Sequence, residues 1–215
     1  MYPIMLDLKG RSAVVVGGGA VGLRRLHALV EAGAAVTLVD PTLGADCELA
    51  GVTILHQPYQ PSQLRGAALV FACTDDHLLN SRIAADARRL GVLVNAADQA
   101  ADCDFHCPAV ARDGEVTVAV GTAGAAAGLA SRLRDLLAQA LPPRVGEFAA
   151  ALSALRADLK SAVSQPALRM DIMKRLSSRE GYESFIQHGV AGPRGLYRKL
   201  LEGAADAPPV CGPQP

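Results

Sequence analysis

The chain alternates between unbroken apolar runs and stretches with helical periodicity. Val14-Val15-Val16, Val36-Thr37-Leu38-Val39, Val52 to Leu55, Ala67 to Cys73 and Val92-Leu93-Val94 are apolar at nearly every consecutive position, as expected of strands buried on both faces of a parallel sheet. Between them, residues 20–32 carry Val21, Leu26, Leu29 and Val30 at helical spacing and end at Gly33, a natural C-cap. A second helix, with Leu79, Ile83 and Ala87 on one face, follows Thr74-Asp75-Asp76, and Thr74 or Asp75 is expected to cap it. The pattern predicts strands at 12–17, 35–40, 52–55, 67–73 and 92–95, a β-α-β-β-α-β series that belongs to doubly wound α/β folds. Glu115 to Val120 reads as one more strand and 125–140 as a helix. From Pro142 onward the pattern is helical, over 145–163, 166–178, 181–188 and 195–202, with breaks at Pro166, Gly181, Gly189, Gly192 and Pro193. The proline-rich stretch 204–215 is expected to be a disordered tail.

The first strand runs into Gly17-Gly18-Gly19-Ala20-Val21-Gly22 and the chain restarts as a helix. Gly17, Gly19 and Gly22 have the G-x-G-x-x-G spacing, in which one glycine makes the turn, one admits a pyrophosphate and one lets helix and strand pack closely. A helix N-terminus behind such a turn presents free N–H groups to phosphate. The second strand ends at Asp40, followed by Pro41, where a carboxylate accepts from the ribose 2′-hydroxyl of NAD and repels the 2′-phosphate of NADP. Gly17 to Gly22, Asp40 and Pro41 are therefore candidate NAD-binding residues, joined by Thr74, Asp75 and Asn95 at the ends of later strands.

Composition narrows the function. The 215 residues hold 21 Lys and Arg against 21 Asp and Glu, are 50% apolar and only 4% aromatic, and lack tryptophan. A neutral, aromatic-poor chain has neither the cationic field nor the stacking surface of a nucleic-acid binder. No apolar stretch is long enough to span a bilayer and no leader is evident, so a soluble cytoplasmic protein with no membrane partner is expected. The five cysteines, at 47, 73, 103, 107 and 211, are odd in number and read as reduced thiols. Cys103 and Cys107, with His106 between them, lack the second ligand pair of a zinc site, so no bound metal is expected.

The loop from Ala96 to Pro108 lies past the carboxyl end of a parallel strand, where ligands bind in open α/β sheets. Asp98 is the candidate proton acceptor there, with His106 as a second base and Asp102 and Asp104 as weaker candidates. A second glycine turn, Gly121-Thr122-Ala123-Gly124, can hold an anion, and Thr122, Gly124 and Arg134 are candidate substrate contacts. Arg156, Lys160, Arg169, Lys174, Arg175, Arg179, Arg194, Arg198 and Lys199 give the helical half a basic excess.

In order along residues 1–200, Pro3-Ile4, Val16-Gly17-Gly18-Gly19, Glu31-Ala32-Gly33-Ala34, Ala72-Cys73-Thr74-Asp75-Asp76 with Asn80, Asn95-Ala96-Ala97-Asp98, Phe105, Pro108-Ala109, Val118-Ala119-Val120, Leu129-Ala130 and Leu133-Arg134 form a recognisable set. The chain resembles the dehydrogenase/ferrochelatase module of siroheme synthase and the stand-alone precorrin-2 dehydrogenases. That resemblance implies a Rossmann-like NAD-binding domain over 1–113, a small dimerisation segment over 114–145 and a helical substrate-binding domain over 146–203, assembled as a homodimer. It also implies NAD-dependent oxidation of precorrin-2 to sirohydrochlorin, followed in some members by insertion of Fe2+ as a substrate, with Asp98 matching the family's aspartate. One departure stands out. Many members read Ser-Ser-Gly-Gly-Thr-Ser-Pro where this chain has Gly121-Thr122-Ala123-Gly124-Ala125-Ala126-Ala127, and the missing hydroxyls bear on metal insertion more than on oxidation.

Two other functions share part of the pattern. An NAD-sensing regulatory module of a potassium-transport system has a similar glycine turn, strand-end aspartate and Thr-Asp-Asp segment, but should continue with further β-α-β units. An NAD-dependent dehydrogenase of a small acid needs only a base and one arginine, and differs from the tetrapyrrole reading only in the family pattern.

Overall fold

Consecutive apolar positions need cover on both sides, and the first five strands receive it. In a computed structural model describing residues 1–43 and 49–205, with side chains described to Glu202, β1 (Ser12–Val16), β2 (Ala35–Val39), β3 (Val52–Leu55), β4 (Leu69–Ala72) and β5 (Leu93–Ala96) are all parallel, in the order β3-β2-β1-β4-β5. Val14, Val16, Val70 and Ala72 pack on one face with Ile83, Ala84 and Ala87 of α2 (His77–Leu90). Ala13, Val15, Leu69 and Phe71 pack on the other with Leu26 and Leu29 of α1 (Ala20–Glu31). The chain winds outward from β1 to β3 and then returns to place β4 against β1, so a topological switch point lies beside the glycine turn.

The first strand is one residue shorter than expected, because Gly17 already turns while its N–H donates to the Val39 carbonyl at 2.9 Å. The cap of α2 also differs from expectation. Asp76, not Thr74 or Asp75, accepts from the Leu78 and Leu79 N–H groups, at 2.9 and 3.1 Å. Thr74 is turned instead toward Asn80.

The chain divides into two compact units, residues 1–107 with 121–126 and residues 108–120 with 127 onward. The division expected at 113/114 falls inside a hairpin that the sequence pattern did not show. In it β6 (Ala109–Asp113) pairs antiparallel with β7 (Val116–Val120), and Gly114 supplies the positive φ of the turn. Ala-Val-Ala-Arg-Asp carries little strand signal of its own and owes its conformation to β7.

In the second unit, α3 (Ala127–Gln139) lies against the hairpin, and α4 (Val145–Ala162), α5 (Pro166–Leu176), α6 (Arg179–His188) and α7 (Ala191–Ala205) follow. Leu155, Leu159, Ile172, Leu176 and Leu200 form their main core, beside a smaller one of Phe148, Ala151 and Phe185. Gly192 and Pro193, read above as a break, lie in the first turn of α7. Proline loses no helical hydrogen bond there, and a Cβ on Gly192 would overlap the Ser184 carbonyl of α6. Of the expected tail, Ala204 and Ala205 close α7 and 206–215 lie outside the described residues. Among the described residues no helix is long and apolar enough to cross a membrane.

Candidate functional site

The three spaced glycines are needed for different reasons. At Gly17, φ is +100° and a Cβ would stand 2.6 Å from the Cys73 carbonyl oxygen, so β1 and β4 leave no room for a side chain. At Gly22 a Cβ would overlap the Gly17 carbonyl, which fixes how closely α1 approaches the turn. A Cβ on Gly19 would meet nothing within 4 Å. That position faces open space at the N-cap of α1, and no side chain caps the helix. Ala20 and Val21 continue into a first turn with no acidic residue. An uncapped helix start with its glycine facing an open volume fits a dinucleotide pyrophosphate.

Asp40 follows β2 and is buried beside this turn, 9% exposed. Its Oδ2 accepts from the Gly18 N–H at 2.5 Å, and its Oδ1 accepts from the Thr42 N–H and hydroxyl, each at 2.7 Å. Burial alone would raise its pKa, but the bonds from Thr42, Gly18 and Leu43 outweigh it and hold the carboxyl below the usual range. Asp40 is thus ionised at neutral pH. Pro41 next to it is exposed, and residues 44–48, which include Cys47, lie outside the described residues.

Beyond β4, Thr74 is held by a side chain to which the sequence pattern gave no role. Asn80 is fully buried. Its Oδ1 accepts from the Thr74 N–H at 3.2 Å and hydroxyl at 2.8 Å, and its Nδ2 donates to the Thr74 carbonyl at 3.0 Å. The available signal was a polar residue beside Leu79 on the apolar face of a helix. Asp75 is exposed.

Asn95 lies within β5, opposite Phe71, and its Nδ2 donates to the Phe105 carbonyl at 2.8 Å, tying down the returning loop. Asp98 stands in the turn just after the strand, exposed, with a left-handed φ of +57°. Aspartate is among the few non-glycine residues that tolerate that conformation. Asp102 and Asp104 are engaged elsewhere, with Ser81 and with Arg88 and the Val94 N–H. The Cys103 Sγ accepts from the Ala96 N–H at 3.2 Å, so this thiol braces the end of β5.

His106 belongs to the same unit as the glycine turn of 121–126, and its Cε1 would lie 3.8 Å from a Cβ on Gly124. Ala123 and Gly124 both have positive φ, and the Thr122 hydroxyl accepts from the Ala126 N–H at 3.2 Å. Gly17–Gly22, Asp40, Thr74, Asp98, His106 and Thr122 to Gly124 therefore share the first unit. Arg134 does not. It lies on α3 in the second unit, paired with Asp135 at 2.6 Å.

Burial raises the Cys73 thiol to about 11, the Arg25 guanidinium opposes that rise, and the Asp98 carboxylate adds to it. Burial likewise raises Cys107, again opposed by Arg25.

A family model described as "Putative NAD(P)-binding" matches residues 4–109. Siroheme synthase of Methylococcus capsulatus is 35% identical over 209 residues, which are 95% of this chain and 43% of that protein. Siroheme synthase of Pseudomonas putida W619 is 33% identical over 218 residues, 97% of this chain and 45% of that protein. The solved structure of SirC, a precorrin-2 dehydrogenase, superposes with a TM-score of 0.71 at 22% identity, covering 94% of this chain and 100% of that one, and so shares the fold. The chain spans less than half the length of the siroheme synthases it matches. By sequence the chain is a relative of a segment of the siroheme synthases.

Proposed function

We propose that this chain oxidises precorrin-2 to sirohydrochlorin with NAD as hydride acceptor. The observation that carries the reading is the pairing of a glycine turn open at Gly19 with an exposed carboxylate, Asp98, on the same carboxyl edge of the sheet. The uncapped start of α1 would hold the pyrophosphate, and Asp40 the adenosine ribose. With Oδ1 already accepting twice and Oδ2 once, the Asp40 carboxylate keeps acceptor capacity for a 2′-hydroxyl and repels a 2′-phosphate, favouring NAD over NADP.

Bound NAD would supply the hydride acceptor. The chain's own part is positional and acid–base. Asn80 fixes Thr74 next to the glycine turn, and Asn95 anchors the loop that carries Asp98. Oxidation removes a hydride and a proton from the substrate, and Asp98 accepts the proton. His106, against the Gly124 turn, is the second candidate base, with Thr122 and Gly124 as substrate contacts beside it. Metal insertion also releases pyrrole protons, so Asp98 can serve it with Fe2+ as substrate.

The chain would work as a homodimer. Leu129, Leu133, Leu136 and Leu137 of α3 are each between 38% and 53% exposed, although α3 already lies on the β6–β7 hairpin. An apolar helix face on a two-stranded sheet is a natural seat for a second copy. Anaerobic incubation with precorrin-2 and NAD tests the proposal. NADH and sirohydrochlorin should appear together, and addition of Fe2+ then reports chelation separately. No spectral change with NAD would refute the dehydrogenase function.

A further inference from the structure

On α1 the face toward the sheet is marked by Gly22, Leu26 and Leu29. Arg25, one helical turn from Gly22 and from Leu29, belongs to the same stripe, where an apolar side chain would be expected. Its guanidinium carbon sits 5.5 Å from the centre of the Phe71 ring, and Phe71 is in turn packed edge-on by Phe105 with ring centres 5.5 Å apart. The Nε is buried and has no hydrogen-bond partner among the described residues, and Arg25 forms no ion pair with any described acid. Arg25 is half-buried, so its guanidinium lies against an aromatic face with its Nε out of water and no anion beside it.

Its place in the sheet follows from the ring it covers. Phe71 is the penultimate residue of β4 and packs on the α1 side of the sheet, so the cation over its ring sits near the carboxyl end of that strand. Arg88, by contrast, meets Asp102 and Asp104. Violations of the apolar pattern that leave a charge unsatisfied gather at functional sites.

We propose that Arg25 is a substrate anchor that binds a carboxylate of the ligand and so sets the ligand's position over the carboxyl edge of the sheet. This rests on the function proposed above, since precorrin-2 and sirohydrochlorin carry peripheral carboxylates and NAD offers none. The guanidinium fork suits bidentate capture of a carboxylate, and Phe71 pre-orients its plane.

The test is a fluorescence titration with sirohydrochlorin of wild type, Arg25→Met and Arg25→Lys, with NAD affinity by calorimetry and Tm on the same preparations. Arg25→Met should bind sirohydrochlorin about 10- to 100-fold more weakly, keep its NAD affinity, and show a Tm close to wild type, because no ion pair or hydrogen bond to a described residue is lost. Arg25→Lys keeps the charge without the fork and should fall between the two; it carries the test if the methionine variant does not fold. Wild-type sirohydrochlorin affinity in either variant overturns the proposal, as does a joint loss of sirohydrochlorin affinity, NAD affinity and Tm, which would make Arg25 a structural residue. A wild type that binds no sirohydrochlorin overturns the precorrin-2 reading itself, and the anchor with it.

Discussion

The turn after β1 and the turn after β5 stand at the same edge of one sheet and are built in opposite ways. The first is over-determined. Backbone closes on Gly17 and Gly22, Asp40 clamps the Gly18 N–H, and only Gly19 faces open space. The second leaves Asp98 exposed on a left-handed backbone, with the support placed behind it in Asn95 and Cys103. A phosphate cradle works through fixed N–H groups, so its precision must be steric. A proton acceptor needs access and basicity, so it is held from a distance and kept free of partners.

If the two turns divide the work in this way, substitutions should separate binding from chemistry. The largest effect is expected at Asp98. Asp98→Asn keeps shape and tolerance of positive φ while removing basicity, so single-turnover oxidation of precorrin-2 should slow by roughly 10² to 10⁴ with NAD affinity intact. A rate within a few fold of wild type would assign the proton transfer to another residue. At the first turn, Gly19→Val should leave the fold intact and reduce NAD binding below detection in calorimetry, because the branched side chain fills the open volume. Gly22→Ala presses on the Gly17 carbonyl instead and should lower stability by about 1 to 3 kcal/mol, read as a shift in the denaturant midpoint. Equal behaviour of these two glycine variants would erase the distinction between cradle and packing. Asp40→Ala should weaken NAD by about 1 to 3 kcal/mol and narrow its advantage over NADP.

How much of this was legible in the chain depended on whether the signal was local. The glycine turn, the strand-end Asp40 and the five parallel strands could be read because turn chemistry and continuous apolarity act over a few residues. The hairpin was half missed because Ala109 to Asp113 becomes a strand only through β7. Asp76 took the cap from Thr74 because Asn80, six residues further on, competes for the threonine. The placement of Arg25 over Phe71 required two elements far apart in sequence.

The smallest effect concerns the shared edge between the turns. A buried thiol whose pKa is raised from near 9 to about 11 stabilises the folded chain fully below the unfolded value and loses that contribution as pH rises through the folded one. Stability should therefore decline between about pH 9 and about pH 11, and Cys73→Ala should flatten that part of the profile in urea titrations. An unchanged slope in the variant would place the alkaline transition elsewhere. At the second unit, Leu133→Asp on α3 should convert a dimer into a monomer in sedimentation, and a monomeric wild type would contradict the assembly.

One measurement bears most directly on the division between cradle and base: the yield of NADH against sirohydrochlorin in a single anaerobic turnover of the wild-type chain. Equimolar formation of the two, dependent on enzyme and on NAD, is the expected result. Sirohydrochlorin formed at the same rate without NAD, or no NADH beside it, would contradict hydride transfer at the glycine turn.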